Sequence, residues 1–244
     1  MEKSFLSKII FYLSVPSCVC CGERLDIDDN VLCKKCKREY EELKNRNCSR
    51  CAKPLFSCSC SNEFLSTHYV KRLVKVFRYL GHHGYTPGMH LLFSLKKDNR
   101  EDVLDFLSRE LADSIKVSVT NIEEYLVTNV PRRRRAIIKF GIDHSEILAK
   151  RIAKIFGIKY KKLLTSKTKR AQKSLEGKER ISNAEFDIKD VSIKGQRILL
   201  IDDIVTTGAS LGSAAALLHS IGAKEIVGAT LSIAYKDEYK LNKQ

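Results

Sequence analysis

Downstream of residue 62 the apolar positions switch between the spacing of strands and that of helices. LVKVFRYL, Leu73 to Leu80, alternates as an edge strand does, and MHLLFSLKK, after Pro87 and Gly88, has the spacing of a short helix. DVLDFLSRELADSI sets Val103, Leu104, Leu107, Leu111 and Ile115 on one helical stripe. YLVTNVP reads as a buried strand stopped by Pro131, SEILAKRIAKIFG as an amphipathic helix running from a capping Ser145 to Gly157, and IKYKKLL as a further strand. Then come QRILLIDD, an apolar strand, SLGSAAALLHSIGA, a helix, and EIVGATLSIA, a strand. Repeated strand, helix and strand imply an α/β domain with a mostly parallel sheet flanked by helices, whose ligand crevice lies at the carboxyl ends of the strands. Near the start, Phe5, Leu6, Ile9, Ile10 and Leu13 recur at helical spacing, which suits a short amphipathic helix packed on the body or on a partner. That stretch, interrupted by Lys8, is too short to span a bilayer and lacks a small-residue cleavage site, so the expectation is a cytoplasmic protein with no integral membrane segment.

The first sixty residues follow another logic. All nine cysteines lie between Cys18 and Cys60, in the pairs Cys18 and Cys21, Cys33 and Cys36, Cys48 and Cys51, and Cys58 and Cys60, with Cys20 left over as a spare or an alternate. Two cysteines separated by two residues bend the chain into a knuckle that aims both sulfurs at one point, and two knuckles supply a tetrahedral set for zinc. Disulfides are the competing use of such pairs, but they need an oxidising compartment. The expectation is two structural zinc ions, each held by four thiolates with no position open for a water. This divides the chain into a zinc-ribbon module at 1–62 and an α/β domain at 63–244. Lys34, Lys35, Lys37, Arg38, Lys44, Arg46 and Arg50 interleave the knuckles, either to meet phosphates or as a solvated basic face.

Charge sharpens the question of ligand. Lys and Arg number 44 against 29 Asp and Glu, a net charge of +15, which draws phosphates of nucleic acid or of metabolites, or else clothes the surface in solvated lysine. Against that background LLIDDIVTTGAS places Asp202 and Asp203 together after an apolar run. If the strand covers Arg197 to Ile201, both acids sit just past its end, and Thr206, Thr207, Gly208, Ala209 and Ser210 form the turn into the next helix. Backbone N–H groups at a helix start converge on an anion, the hydroxyls add donors, and Gly208 lets a phosphate approach without a Cβ in the way. The acids then hold sugar hydroxyls while the loop holds the sugar's 5′-phosphate. The lysine of a nucleoside-triphosphate P-loop is missing, and so is the dinucleotide fingerprint.

ILLIDDIVTTGAS resembles the phosphoribosyl-pyrophosphate (PRPP) motif of type I phosphoribosyltransferases. With the four cysteine pairs before it, and with SLKKDNRED, VPRRRRAIIKFGIDHSEILA and AQKSLEGKERISNAEF in order, nearly the whole chain is similar to the ComF family, whose members take part in DNA uptake during natural transformation. The resemblance implies a type I phosphoribosyltransferase fold behind the zinc ribbon, with PRPP and Mg²⁺ as ligands. It implies Lys96 as a catalytic residue beside Asp202 and Asp203, Val130, Pro131 and Arg132 as the loop facing pyrophosphate, and Gln172, Leu175, Arg180, Asn183 and Phe186 on a flexible loop. It also implies a competence helicase as a partner; the alternative is a non-catalytic single-stranded-DNA-binding or regulatory protein on the same fold. Where the family reads R-G-F-N-Q this chain has FGIDH, so Phe140 stands in place of an arginine; Arg132 to Arg135 and Lys139 offer cation nearby. His82, His83 and His144 are proton carriers or packing residues. The basic tract Lys159 to Arg180, with Tyr160 as its one aromatic ring, either tracks a single-stranded backbone or forms a lid.

Overall fold

A computed structural model describes residues 16–79, 86–132, 137–138, 141–167, 186–189 and 192–234. The expected N-terminal amphipathic helix, His82, His83, Arg133 to Arg135, Lys139, and Gln172, Leu175, Arg180 and Asn183 lie outside the described residues.

The chain begins with two similar knuckles. In the first, the Gly22 N–H donates to the Cys18 carbonyl (2.9 Å); in the second, the Ala52 N–H donates to the Cys48 carbonyl (2.9 Å). Both turns need a left-handed residue after the second cysteine, and Gly22 (φ 76°) and Ala52 (φ 56°) supply it. Between the knuckles runs α1 (Lys34–Asn45), which starts at Cys33 and buries Cys36, Tyr40 and Leu43 along one face. A short α2 (Glu63–Thr67) follows, capped by the Asn62 side chain, and leads into β1 (Arg72–Arg78).

The remaining elements are α3 (Pro87–Asp98), α4 (Glu101–Ser118), β2 (Tyr125–Asn129), α5 (His144–Phe156), β3 (Leu164–Ser166), β4 (Phe186–Ile188), β5 (Arg197–Val205), α6 (Ala209–Ser220) and β6 (Glu225–Ile233). The main sheet is wholly parallel in the order β1-β6-β5-β2, and β3 and β4 form a separate antiparallel pair. One face of the sheet is covered by α1, α3, α4 and α5, with Leu91, Leu95, Leu107, Leu111, Leu148 and Ile152 against Leu199, Ile201 and Val227. The other is covered by α2 and α6, with Leu65, Leu211, Ala214 and Leu218 against Ile198 and Leu200. Every member of the α4 stripe named from the sequence is buried. Cys18, Cys33 and Cys36 belong to the same hydrophobic cluster as α3 and α4, so the first knuckle packs directly on the α/β body.

Three local expectations are corrected. The β5 strand extends to Val205, because Ile204 and Val205 stay paired with Ser232 and Ile233 of β6, so Asp202 and Asp203 lie within the strand rather than past its end. The α5 helix is capped by Asp143, whose Oδ1 accepts from the Glu146 N–H and the Ser145 hydroxyl; Ser145 is already inside the helix. IKYKKLL contributes a single parallel bridge of Tyr160 to Val127, and the regular strand begins at Leu164. LVKVFRYL is the edge strand by position, yet it is buried on both faces, and the Ser59–Cys60 segment covers its outer edge through a Leu73 N–H to Ser59 carbonyl bond (2.9 Å).

Candidate functional site

The apolar run that makes β5 a central strand also carries the two carboxylates to its C-terminal end. Successive strand residues face opposite sides. Asp203 therefore shares the side of Leu199 and Ile201, toward α3 and α5, while Asp202 shares the side of Ile198 and Leu200, toward α6. On its side Asp203 is 5% exposed and meets two cations: Lys96 of α3, 3.1 Å from its Oδ2, and the Arg132 guanidinium, which donates to the same oxygen. Its other oxygen accepts from the Ile204 N–H (2.9 Å). Burial pushes the Asp203 carboxyl up, but Lys96 and Arg132 outweigh burial and hold it below its ordinary value. Asp202 has no cation in contact among the described residues; it accepts from the Asp203 N–H (2.9 Å) and feels Arg132 only at a distance, and neither prevails. Burial and the adjacent Asp203 carboxylate push it well above the ordinary carboxylate range.

Asp202 lines a small recess with Thr206, Thr207, Gly208, Ala209 and Ser210, about 70 Å³ in volume. Gly208 starts α6 with φ 85°, and the Thr207 hydroxyl accepts from the Ala209 N–H (3.3 Å). Glycine is also demanded from behind the loop: a Cβ at Gly208 would lie 2.9 Å from Cγ of Leu65 of α2.

Lys96, Val130, Pro131 and Arg132 come together around Asp203 through several long-range contacts. The Val130 N–H donates to the Ile201 carbonyl (2.9 Å), which ties the end of β2 to β5, and the Val130 carbonyl accepts from the Ser145 hydroxyl (2.6 Å). The Arg132 N–H donates to Asp143 Oδ2 (3.1 Å), so the cap of α5 also pins the loop that carries Arg132. Asp143 is a positioning residue the sequence reading missed; the signal for it was an acid one residue before a helical stripe. His144 is buried, with Nε2 hydrogen-bonded to the Leu95 carbonyl (2.9 Å) and Asn99 (3.0 Å). Burial pushes its pKa down, which keeps the ring neutral. It packs the C-terminal end of α3, next to Lys96, and is a structural residue in this fold. Phe186, expected on the flexible loop, is buried in β4.

The cysteines form two clusters, Cys18, Cys21, Cys33 and Cys36, and Cys48, Cys51, Cys58 and Cys60, each with its sulfurs within 4.8 Å of one another. Cys21 and Cys33 are 3.7 Å apart and Cys51 and Cys58 3.5 Å. Four thiolates at about 2.3 Å from a tetrahedral zinc would stand about 3.8 Å apart, so the donor set fits that ion. None of the nine cysteines is in a disulfide, and Cys20 stands outside both clusters. Burial pushes the first thiol of each knuckle up, but N–H donors from the knuckle backbone prevail and bring Cys18 and Cys48 down to about 7, toward the thiolate a metal requires.

Residues 142–244 match the family model described as phosphoribosyl transferase domain. Over 201 residues the chain is 30% identical to the competence protein ComFC of Streptococcus pneumoniae (strain ATCC BAA-255 / R6), covering 82% of this chain and 86% of that protein. The chain belongs to the ComF family. Other similarities of this ComF protein are more local. An 80-residue stretch, 32% of the chain, is 39% identical to 24% of the ribose-phosphate pyrophosphokinase of Pyrococcus abyssi (strain GE5 / Orsay). Among solved structures, the purine phosphoribosyltransferase of Pyrococcus horikoshii Ot3 aligns with 53% of the chain and 72% of its own, at 19% identity and a TM-score of 0.35. The parallel sheet flanked by helices, behind a cysteine-rich module, is the type I phosphoribosyltransferase architecture of the ComF family. No helix among the described residues is long and apolar enough to cross a membrane.

Proposed function

We propose that this ComF protein binds PRPP with Mg²⁺ at the C-terminal end of β5 and works on the cytoplasmic side of DNA uptake, with single-stranded DNA and a helicase as partners. The observation that carries the reading is the division of labour between the two acids. Asp203 is neutralised by Lys96 and Arg132, while Asp202 faces the recess of Thr206 to Ser210. In this reading the loop N–H groups and hydroxyls hold the 5′-phosphate, and the acids hold the ribose hydroxyls and the field of the cation. Lys96 and Arg132, with Val130 and Pro131 shaping the loop, face the pyrophosphate. Gln172, Arg180 and Asn183, outside the described residues, keep the flexible-loop place that the family resemblance gives them. Two structural zinc ions hold the 1–62 module against the 63–244 domain.

If turnover occurs, it needs little proton transfer. Pyrophosphate leaves once its charge is met, and the site's task is to hold ribose and acceptor in line and to stabilise the cationic ribose. Calorimetric titration of Mg²⁺ and PRPP into the zinc-loaded protein tests the reading. Saturable heat that vanishes in Asp202→Asn/Asp203→Asn supports it, and absence of heat in the folded wild type refutes it.

A further inference from the structure

The β1 strand carries a lysine where its neighbours are apolar. Lys75 is 2% exposed and sits between Val74 and Val76, both fully buried. Burying an ammonium is costly unless an opposite charge and hydrogen bonds compensate it. Its hydrogen bonds go to two carbonyls, Cys60 at 2.7 Å and Leu73 at 3.3 Å. Carbonyls satisfy donors but leave the charge unpaired, and no carboxylate forms an ion pair with Lys75 among the described residues.

What lies beside it is the second cysteine cluster. The 2.7 Å bond to the Cys60 carbonyl sets the Lys75 ammonium against the backbone of one of that cluster's four cysteines. Four thiolates around a divalent ion carry a net charge of −2, and they are the anion within reach. At the first cluster the side chain beside a ligand sulfur is an acid, Glu23, 3.9 Å from Cys21, and among the described residues no lysine ammonium hydrogen-bonds any of its four cysteines.

We infer that Lys75 is the counter-charge of the metal centre formed by Cys48, Cys51, Cys58 and Cys60, so that occupancy of this site, and not of the first, is bound to the stability of the sheet. With the metal in place, the ammonium faces a dianionic cluster. With neutral thiols there instead, β1 buries a cation that has lost its partner. The link extends toward the candidate phosphate loop. Cys60 bridges Arg72 at the sheet edge, Asn62 caps α2, and Leu65 of α2 lies against Gly208.

The inference rests on the zinc reading, and the experiment separates the two. Zinc content of the purified full chain is measured first, and two equivalents are expected; none would end the zinc reading itself. Zinc is then withdrawn by graded competition with a chromophoric chelator from wild type, Lys75→Gln and Lys75→Met. Residues bonded to metal ligands typically change metal affinity by about 10- to 100-fold when replaced. The expected result is that one of the two equivalents weakens by about that factor while the other is unchanged. Thermal unfolding with and without chelator completes the cycle. Zinc removal lowers the Tm of the wild type more than that of Lys75→Met, because only the wild type is left with a buried ammonium. Two equivalents held as in the wild type, both weakened alike, or equal Tm losses would each overturn the inference. Should Lys75→Met fail to fold, Lys75→Gln keeps the donor to the Cys60 carbonyl and decides the question through the chelator series.

Discussion

Replacing Gly208 by alanine tests how the loop from Thr206 to Ser210, the proposed phosphate site, is built. Two independent costs follow from the structure. The residue has φ 85°, a left-handed conformation that costs an L residue about 1–2 kcal/mol relative to glycine. The new Cβ would also lie 2.9 Å from Cγ and 3.0 Å from Cδ2 of the buried Leu65, and overpacking of this kind costs about 1–3 kcal/mol. Together they destabilise the protein by roughly 2–5 kcal/mol, or about 5–15 °C in Tm for a chain of this size. Urea unfolding of Gly208→Ala, Leu65→Ala and the double variant separates the terms. Removing Leu65 opens space, so the penalty for alanine at 208 shrinks to the backbone part. Gly212→Ala is the control. Its Cβ would meet the half-exposed Phe64 ring at 2.8 Å, but its φ is not left-handed, and the gain in helix propensity of about 1 kcal/mol offsets part of the clash. A Gly208→Ala variant as stable as the wild type, or a penalty unaffected by Leu65→Ala, refutes the reasoning.

The two acids give opposite signs. Because the Asp202 carboxyl is raised, the folded state disfavours the ionised form that the unfolded chain carries above about pH 4, so Asp202→Asn raises the Tm at pH 7. The gain shrinks as pH falls from the raised folded-state value toward about 4 and is absent below it, which differential scanning calorimetry at pH 7 and pH 3 reads. Asp203 is lowered, so its ionised form stabilises the fold above its ordinary value of about 4 and that contribution is lost as pH falls through the folded-state value. The stability difference between wild type and Asp203→Asn is therefore flat near neutrality and shrinks in acid denaturation series. His144→Leu leaves the Leu95 carbonyl and Asn99 without their partner and costs about 1–3 kcal/mol in urea. The loss changes little between pH 7 and 8, because burial lowers the His144 pKa from its ordinary value of about 6.5.

Much of this was legible because it is local. The spacing of the cysteines marks the two clusters, since a knuckle is set within four residues. The helical stripe from Val103 to Ile115 and the apolar run before Asp202 name their elements because periodicity is a property of one segment. What was not legible depends on contacts between distant segments. The end of β5 is set by its partners in β6, not by its own residues, so the strand runs past the acids. The loss of a family arginine at Phe140 says nothing about Lys96 and Arg132, 36 residues apart, converging on one carboxylate oxygen. That Gly208 must also clear Leu65 of α2 could not be read from its own segment. Lys75 looks like a polar position of an alternating edge strand, and only the fold shows that it is buried against a cysteine cluster.

The central claim is that the recess of Thr206 to Ser210 takes the 5′-phosphate while Lys96 and Arg132 face the pyrophosphate. ³¹P NMR of PRPP with Mg²⁺ reports on these phosphates separately. Adding zinc-loaded wild type should shift or broaden the 5′-phosphate and pyrophosphate resonances together. Ser210→Ala should weaken the effect on the first, and Lys96→Met the effect on the second. Resonances that stay at their free positions in the presence of folded protein, or that respond identically in both variants, contradict the account.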